Sequence, residues 1–75
     1  MGHIRYVVQI NMKKGKPKYL SIAGNPRPNV IIERSKATTF DNHRVAEIVS
    51  SWFWDNYWND EDFSTREVVV FRSRK

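Results

Sequence analysis

The sequence predicts a single small α+β domain, with β-strands on both sides of one aromatic-rich helix along 75 residues. Three observations predict this class. Apolar and polar side chains alternate over residues 4–12, which is typical of a half-buried strand. Apolar side chains recur at helical spacing over residues 42–58, and a β-branched run follows at residues 67–72. The predicted order is β-β-β-α-β, with roughly three to four strands in a small antiparallel or mixed sheet packed on one helix.

The first half of the chain predicts a β hairpin over residues 4–23 and a third strand over residues 30–34. Five apolar side chains would share one face of the first strand, at Ile4, Tyr6, Val8, Ile10 and Met12. Gly15 can supply a positive φ in the hairpin turn. Gly, Asn and Pro at residues 24–29 indicate a loop before the third strand. Residues 35–39 either extend that strand or connect it to the helix.

The helix is predicted over residues 42–58. Asp41 is its expected N-cap, because an aspartate side chain can accept hydrogen bonds from the free N–H groups of the first turn. This cap makes Phe40 and Val45 the two residues of a hydrophobic staple. At about 100° per residue, one broad stripe of the helix is predicted to face the core. The stripe holds Val45, Ala46, Val49, Trp52, Phe53 and Tyr57, with Trp52 as a large core anchor.

The opposite side of the helix carries two tryptophans among polar residues. Trp54 and Trp58 stand four positions apart and would stack along one line of the helix. Because exposed aromatic patches mark interaction sites, these residues and Tyr57 are predicted to bind a protein partner. Four nearby acids would supply charge complementarity to a basic partner, at Asp55, Asp60, Glu61 and Asp62. The alternatives are that the acidic loop and the last strand fold over the tryptophans, that the helix ends before Trp58, or that a homodimer buries the tryptophans.

The net charge of +5 is unevenly distributed, with a basic front, an acidic middle and a basic tail. Seven basic residues lie in the first turn and at the end of the chain, at Lys13, Lys14, Lys16, Lys18, Arg72, Arg74 and Lys75. Because lysine-rich hairpins can sit against phosphates, nucleic-acid binding through these residues is an alternative function. Lysines at a hairpin tip also deter aggregation through strand edges, which requires no partner.

Composition argues against catalysis and against a metal or cofactor. The chain has no Cys, and its histidines are His3 and His43, so neither a disulfide nor a zinc site is expected. The sequence contains no Gly-rich phosphate loop, no nucleophilic triad pattern and no calcium-loop spacing. No apolar run approaches the roughly 20 residues of a membrane span. We expect a non-enzymatic cytoplasmic protein without membrane association, stabilised by aromatic packing or self-association.

A strand hairpin followed by a helix is marked by Lys18-Tyr19-Leu20, by Lys36-Ala37-Thr38-Thr39-Phe40-Asp41 and by Ala46 within the helix. In these segments the chain resembles small uncharacterised accessory proteins of bacteriophages and prophages of Gram-positive bacteria. The resemblance stops before the tryptophan-rich end of the helix and brings no catalytic residues. It implies a viral protein that binds and modulates a host protein in the host cytoplasm. Inhibitors of defence systems, of the anti-CRISPR type among them, belong to the roles that it implies.

Overall fold

The computed structural model describes residues 4–22, 29–59 and 62–71. Its strands are β1 (Arg5–Met12), β2 (Lys18–Ser21), β3 (Asn29–Ile31) and β4 (Phe63–Phe71), and the helix α1 (His43–Tyr57) lies between β3 and β4 in the chain. A short 3-10 turn, Arg34–Lys36, follows β3. The predicted α+β class and the predicted order β-β-β-α-β are both confirmed.

The sheet is antiparallel and has the strand order β3-β2-β1-β4. β1 is central, and it pairs with β4 from Arg5 opposite Phe71 to Met12 opposite Phe63. In the turn between β1 and β2, Gly15 has a φ of 86°, a conformation that a side chain would strain. In the part of the chain that the structure describes, β3 and β4 therefore form the two edges of the sheet.

Two strand boundaries differ from the sequence prediction. β4 begins at Phe63 instead of residue 67, because residues before 67 find partners along the second half of β1. β3 ends at Ile31, opposite Tyr19, instead of residue 34. The partner strand β2 begins at Lys18, one residue before Tyr19 and directly after Pro17. Pro17 has no N–H to donate to a β-ladder, so β3 has no strand to pair with beyond this point. The predicted ends of the hairpin at residue 23 and of the last strand at residue 72 lie outside the described residues.

Residues 38–40 lie between β1 and the end of β2 and bond to both. Phe40 and Tyr6 exchange two backbone hydrogen bonds, with both N to O distances at 2.8 Å. The Thr38 N–H donates to the Leu20 carbonyl at 3.1 Å, and its hydroxyl oxygen accepts from the Ile22 N–H at 2.8 Å. β1 and β2 pair with each other directly only near the turn that joins them. Residues 38–40 therefore supply hydrogen-bond partners for backbone groups farther along both strands.

The helix is capped one residue later than the sequence predicts. Asn42 is the N-cap, and its side-chain oxygen accepts from the N–H groups of Arg44 at 2.7 Å and Val45 at 3.3 Å. The prediction that Asp41 is the cap is wrong, and with it the assignment of Phe40 and Val45 to a hydrophobic staple. Asp and Asn cap about equally well in general, so the path of the preceding segment, which ties Phe40 to β1, decides between them.

Replacing Asn42 by alanine is expected to lower the free energy of unfolding by about 1 kcal/mol, because the first-turn N–H groups lose their acceptor. Urea denaturation followed by circular dichroism measures the change. Asp41→Ala is the matched control, since its exposed contact with Arg5 at 3.8 Å is worth at most a few tenths of a kcal/mol after screening by solvent. A larger loss for Asp41→Ala than for Asn42→Ala would contradict this cap assignment.

The helix packs on β1 and β4 through a stripe that is rotated relative to the predicted one. Ala46, Ser50 and Phe53 are buried, and Phe53 joins a core with residues of β1, β2 and β4. The prediction that Val45 and Trp52 face the core is wrong, because they are 46% and 48% exposed. The predicted stripe spans about 140° of the helix circumference, and the underlying strands cover only part of that width.

The sheet face turned away from the helix is also partly apolar. Val7 is fully buried on this face, opposite Val69 of β4. The Arg34 guanidinium lies over the Phe71 ring, 5.3 Å from its centroid, so the segment after β3 covers part of this side. A fully buried valine on the second face makes the central β1–β4 pairing important for stability.

Candidate protein-binding surface

Two of the aromatic residues predicted to bind a partner pack against the core. Trp54 is half-buried, with its ring centroid 6.1 Å from that of Phe63, and the guanidinium of Arg66 lies 5.9 Å from the Trp54 ring centroid. Tyr57 stacks on Phe53 with a centroid separation of 5.2 Å. Of the predicted alternatives, the last strand does cover Trp54, and the helix does end before Trp58, at Tyr57. A binding role for Trp54 and Tyr57 stays a prediction, and their present contacts stabilise the fold.

Trp58 remains the most accessible aromatic of the predicted set. It is the C-cap of α1, its N–H donates to the Trp54 carbonyl at 3.0 Å, and it is 53% exposed. Asp55 and Asp62 are exposed as well, on either side of the helix end. Asp60 and Glu61, which belong to the same predicted surface, lie outside the described residues.

The helix has an exposed apolar stripe that the sequence prediction did not assign. Val45, Ile48 and Trp52 stand at positions i, i+3 and i+7, and we call these three residues the outer stripe. Ile48 is the most exposed of them, at 61%. Ile48 is also the signal that could have revealed the stripe, because it is a large apolar residue outside the predicted core face and one turn before Trp52. Asp55 follows Trp52 by three positions and is exposed on the same side.

The basic residues of the first turn lie beside Asp62. Lys13, Lys14 and Lys16 are exposed at the tip of the β1–β2 hairpin, and Lys18 is half-buried in β2. The Lys13 N–H donates to the Asp62 carbonyl at 2.9 Å, so the hairpin tip and the segment before β4 are joined. Opposite charges at one end of a domain weaken each other's long-range field. The other basic residues of the predicted set, Arg72, Arg74 and Lys75, lie outside the described residues, and nucleic-acid binding stays a prediction.

Charged side chains in the described part of the chain form exposed pairs. His43 Nε2 lies 3.6 Å from a Glu47 carboxylate oxygen, and the His43 ring meets the Tyr6 ring edge-on. The Ser50 hydroxyl is buried, which keeps it from contact with a substrate. Among residues 4–22, 29–59 and 62–71, no group of three or more His, Asp or Glu side chains is arranged to hold a metal ion. No helix in these ranges is long and apolar enough to cross a bilayer.

The chain matches no protein-family model, no curated protein and no solved structure. Its function therefore has to be argued from the surface itself. The features that carry chemistry on this surface are the outer stripe, the exposed Trp58 and the acids at the end of the helix.

Proposed function

We propose that this protein is a non-enzymatic binding module that recognises another protein through the outer stripe of α1. The proposal includes the role that the sequence resemblance implies, an accessory protein of a phage or prophage that binds and modulates a host protein in the host cytoplasm. The observation that carries it is the exposure of Val45, Ile48 and Trp52 along one side of a single helix. Large apolar side chains that stand together on a surface are typical of interaction sites.

The outer stripe has the properties of an effective contact surface. Tryptophan is among the residues that contribute most to protein interfaces, because it buries a large area at a small cost in side-chain entropy. The ring of Trp52 is held edge-on against Tyr57, at a centroid separation of 5.9 Å. Tyr57 is in turn stacked on the buried Phe53. The stripe is therefore presented by a helix that is anchored in the core, which limits the ordering cost of binding.

Charge at one end of the stripe defines the chemistry of the partner. Asp55 is exposed one turn beyond Trp52, and Asp62 is exposed where the chain enters β4. These carboxylates favour a partner that presents an apolar ridge with Lys or Arg beside it. The sequence-predicted contact residues Asp55 and Asp62 thus keep a role at the margin of the surface, while Trp52 takes the central position.

The proposal is tested with the tagged chain as bait in a nuclease-treated bacterial lysate, followed by measurement of binding with each captured protein after purification. Trp52→Ala and Ile48→Asp are each expected to weaken the dissociation constant of the true partner about 30-fold or more, as for an interface hot spot. Ile32→Asp is the matched control, because Ile32 is 68% exposed but lies outside the stripe. Its affinity should equal that of the unmodified chain.

Asp55→Lys separates charge complementarity from apolar contact. It should slow association with a basic partner and reduce the salt dependence of binding, while circular dichroism stays unchanged. The outer stripe is not the binding surface if every captured protein binds Trp52→Ala and Ile48→Asp as tightly as it binds the unmodified chain.

A further inference from the structure

The outer edge of β4 exposes backbone groups whose positions follow from the pairing of β1. Tyr6 exchanges both of its backbone hydrogen bonds with Phe40, on the side of β1 away from β4. Backbone groups of successive residues in a strand point in opposite directions, so the N–H and C=O groups of the odd-numbered β1 residues, such as Val7 and Gln9, form their hydrogen bonds with β4. Their partners in β4, such as Val69, direct their backbone groups inward. The N–H and C=O groups of three β4 residues must then point outward, at Arg66, Val68 and Val70.

The β4 edge carries few of the features that usually protect an edge strand. Protected edges are short or carry charged side chains, above all lysine, or proline or a bulge. β3, at the other edge, has three residues, whereas β4 has nine, and none of the nine is a proline or a lysine. The pairing irregularity lies at Asn11/Met12, far from Val68 and Val70. The charged residues of β4 are Arg66 and Glu67, and the Arg66 guanidinium lies over the Trp54 ring and not over the open edge.

We propose that the β4 edge binds a second copy of this chain, with the two β4 strands antiparallel about a two-fold axis at Val68. In this register Val68 pairs with Val68 of the second copy, and Arg66 pairs with Val70 of the second copy. The outward groups of each strand are then matched, which gives about six backbone hydrogen bonds across the seam. The two sheets join into one continuous antiparallel sheet, and the interface is isologous.

Charge disfavours two of the registers close to this one. A two-fold axis at Glu67 would place Glu67 directly opposite its own copy, and an axis at Arg66 would do the same for Arg66. Like charges in directly opposite positions are destabilising. An axis at Val68 places valine opposite valine in the centre and places Glu67 opposite Val69 of the second copy. A second copy therefore fits this edge without a repulsive pair.

The helix adds a second layer to the proposed interface. Trp54 contacts Phe63 and Arg66, so its side of α1 lies over β4. Glu47, Ser51 and Trp58 stand at i−7, i−3 and i+4 from Trp54 and share that side. Because α1 packs on both β1 and β4, its axis lies roughly midway between these two strands, which are about 4.8 Å apart. In the dimer the two helix axes would then be separated by about two strand spacings, or about 10 Å. That is the spacing of directly packed helices, and it would cover the exposed Trp58.

A buried polar atom lies close to the proposed axis. Among the described residues, the buried Nε of Arg66 has no hydrogen-bond partner. Trp54 lies beside Arg66, while His43 lies beside Tyr6, which pairs with Val70. Val68 lies halfway between Arg66 and Val70 and is therefore level with Ile48 and Val49, halfway between Trp54 and His43. Because Arg66 pairs with Val70 of the second copy, the axis brings the first turn of the second copy's helix level with Arg66.

The register is tested with two substitutions of Val70, which is 44% exposed and faces Arg66 of the second copy in the proposed dimer. Val70→Glu creates two opposite-charge pairs across the seam, and Val70→Lys creates two like-charge pairs. Sedimentation velocity over a concentration series is expected to show the unmodified chain at twice its mass of 8.9 kDa. Val70→Glu should dimerise about tenfold more tightly than Val70→Lys. Val68→Pro, which removes an outward N–H, should be monomeric.

Circular dichroism and thermal unfolding below the dimer dissociation constant show that each variant folds as a monomer. The proposal is overturned if the unmodified chain stays monomeric at its highest soluble concentration. It is also overturned if Val70→Glu and Val70→Lys dimerise equally, because their charges would then not face Arg66. The seam uses the side of α1 away from the outer stripe, so Trp52→Ala should leave the dimer intact and the two proposals fail independently.

Discussion

Replacing Phe53 by alanine is expected to lower the free energy of unfolding by about 3–5 kcal/mol and to leave much of the chain unfolded. Phe53 is 3% exposed and stacks on Tyr57, and it lies 6.0 Å from Phe63 between ring centroids. A domain of 75 residues has a total stability of only about 4–11 kcal/mol, at roughly 0.05–0.15 kcal/mol per residue. Removal of one central ring therefore takes away a large part of the stability.

Trp52→Ala is the control for this prediction, because the two residues are neighbours in the helix and differ in the direction of their side chains. Trp52 is half exposed, so its replacement should change the free energy of unfolding by less than about 1 kcal/mol. Urea denaturation with circular dichroism compares the variants at equal concentration. The opposite order of effects would mean that Trp52 is the large core anchor that the sequence predicts.

Val69→Pro is expected to cost at least about 3 kcal/mol of the free energy of unfolding, whereas Val68→Pro should fold as a monomer. The Val69 N–H points inward to the carbonyl of Val7, which is fully buried and would be left without a donor. The proline ring would also collide with β1. At Val68 the N–H points to the open edge, so the monomer loses no ladder bond there.

Thermal unfolding and amide hydrogen exchange measure this contrast directly. Slow exchange should be seen for the amides of Val69 and Phe71 in the monomer, and faster exchange for those of Val68 and Val70. Equal destabilisation by the two prolines would contradict the assignment of outward backbone groups in β4. The same variants serve the dimer experiment, where Val68→Pro removes the seam without removing the outer stripe.

The two proposals together describe a two-sided helix. One side of α1 faces the β4 edge and the proposed second copy, through Glu47, Ser51 and Trp58. The other side carries the outer stripe for a protein partner. A dimer would present two such stripes, and binding to a partner that offers two sites would gain from effective concentration. The homodimer and the protein partner, which the sequence left as alternatives, are compatible in this arrangement.

Local chemistry made much of the fold predictable. The period-two alternation of β1, the turn at Gly15 and the apolar repeat of α1 are each a property of a few neighbouring residues. Backbone sterics and side-chain periodicity act over that short range, so the α+β class and the order of elements follow from the sequence. The presence of an aromatic surface at the helix was predictable for the same reason, but the tryptophan at its centre was not.

The rotation of α1 was decided by tertiary structure. Whether Trp52 or Trp54 is covered depends on which strands lie beneath the helix, and β4 supplies Phe63 and Arg66 to Trp54 alone. The shift of the N-cap from Asp41 to Asn42 has a similar cause, since residues 38–40 are held between β1 and β2 by bonds to distant parts of the chain. The sequence by itself thus determined which elements form and in what order. Only packing between elements decided which helix face remains exposed, because that depends on contacts between residues far apart in the chain.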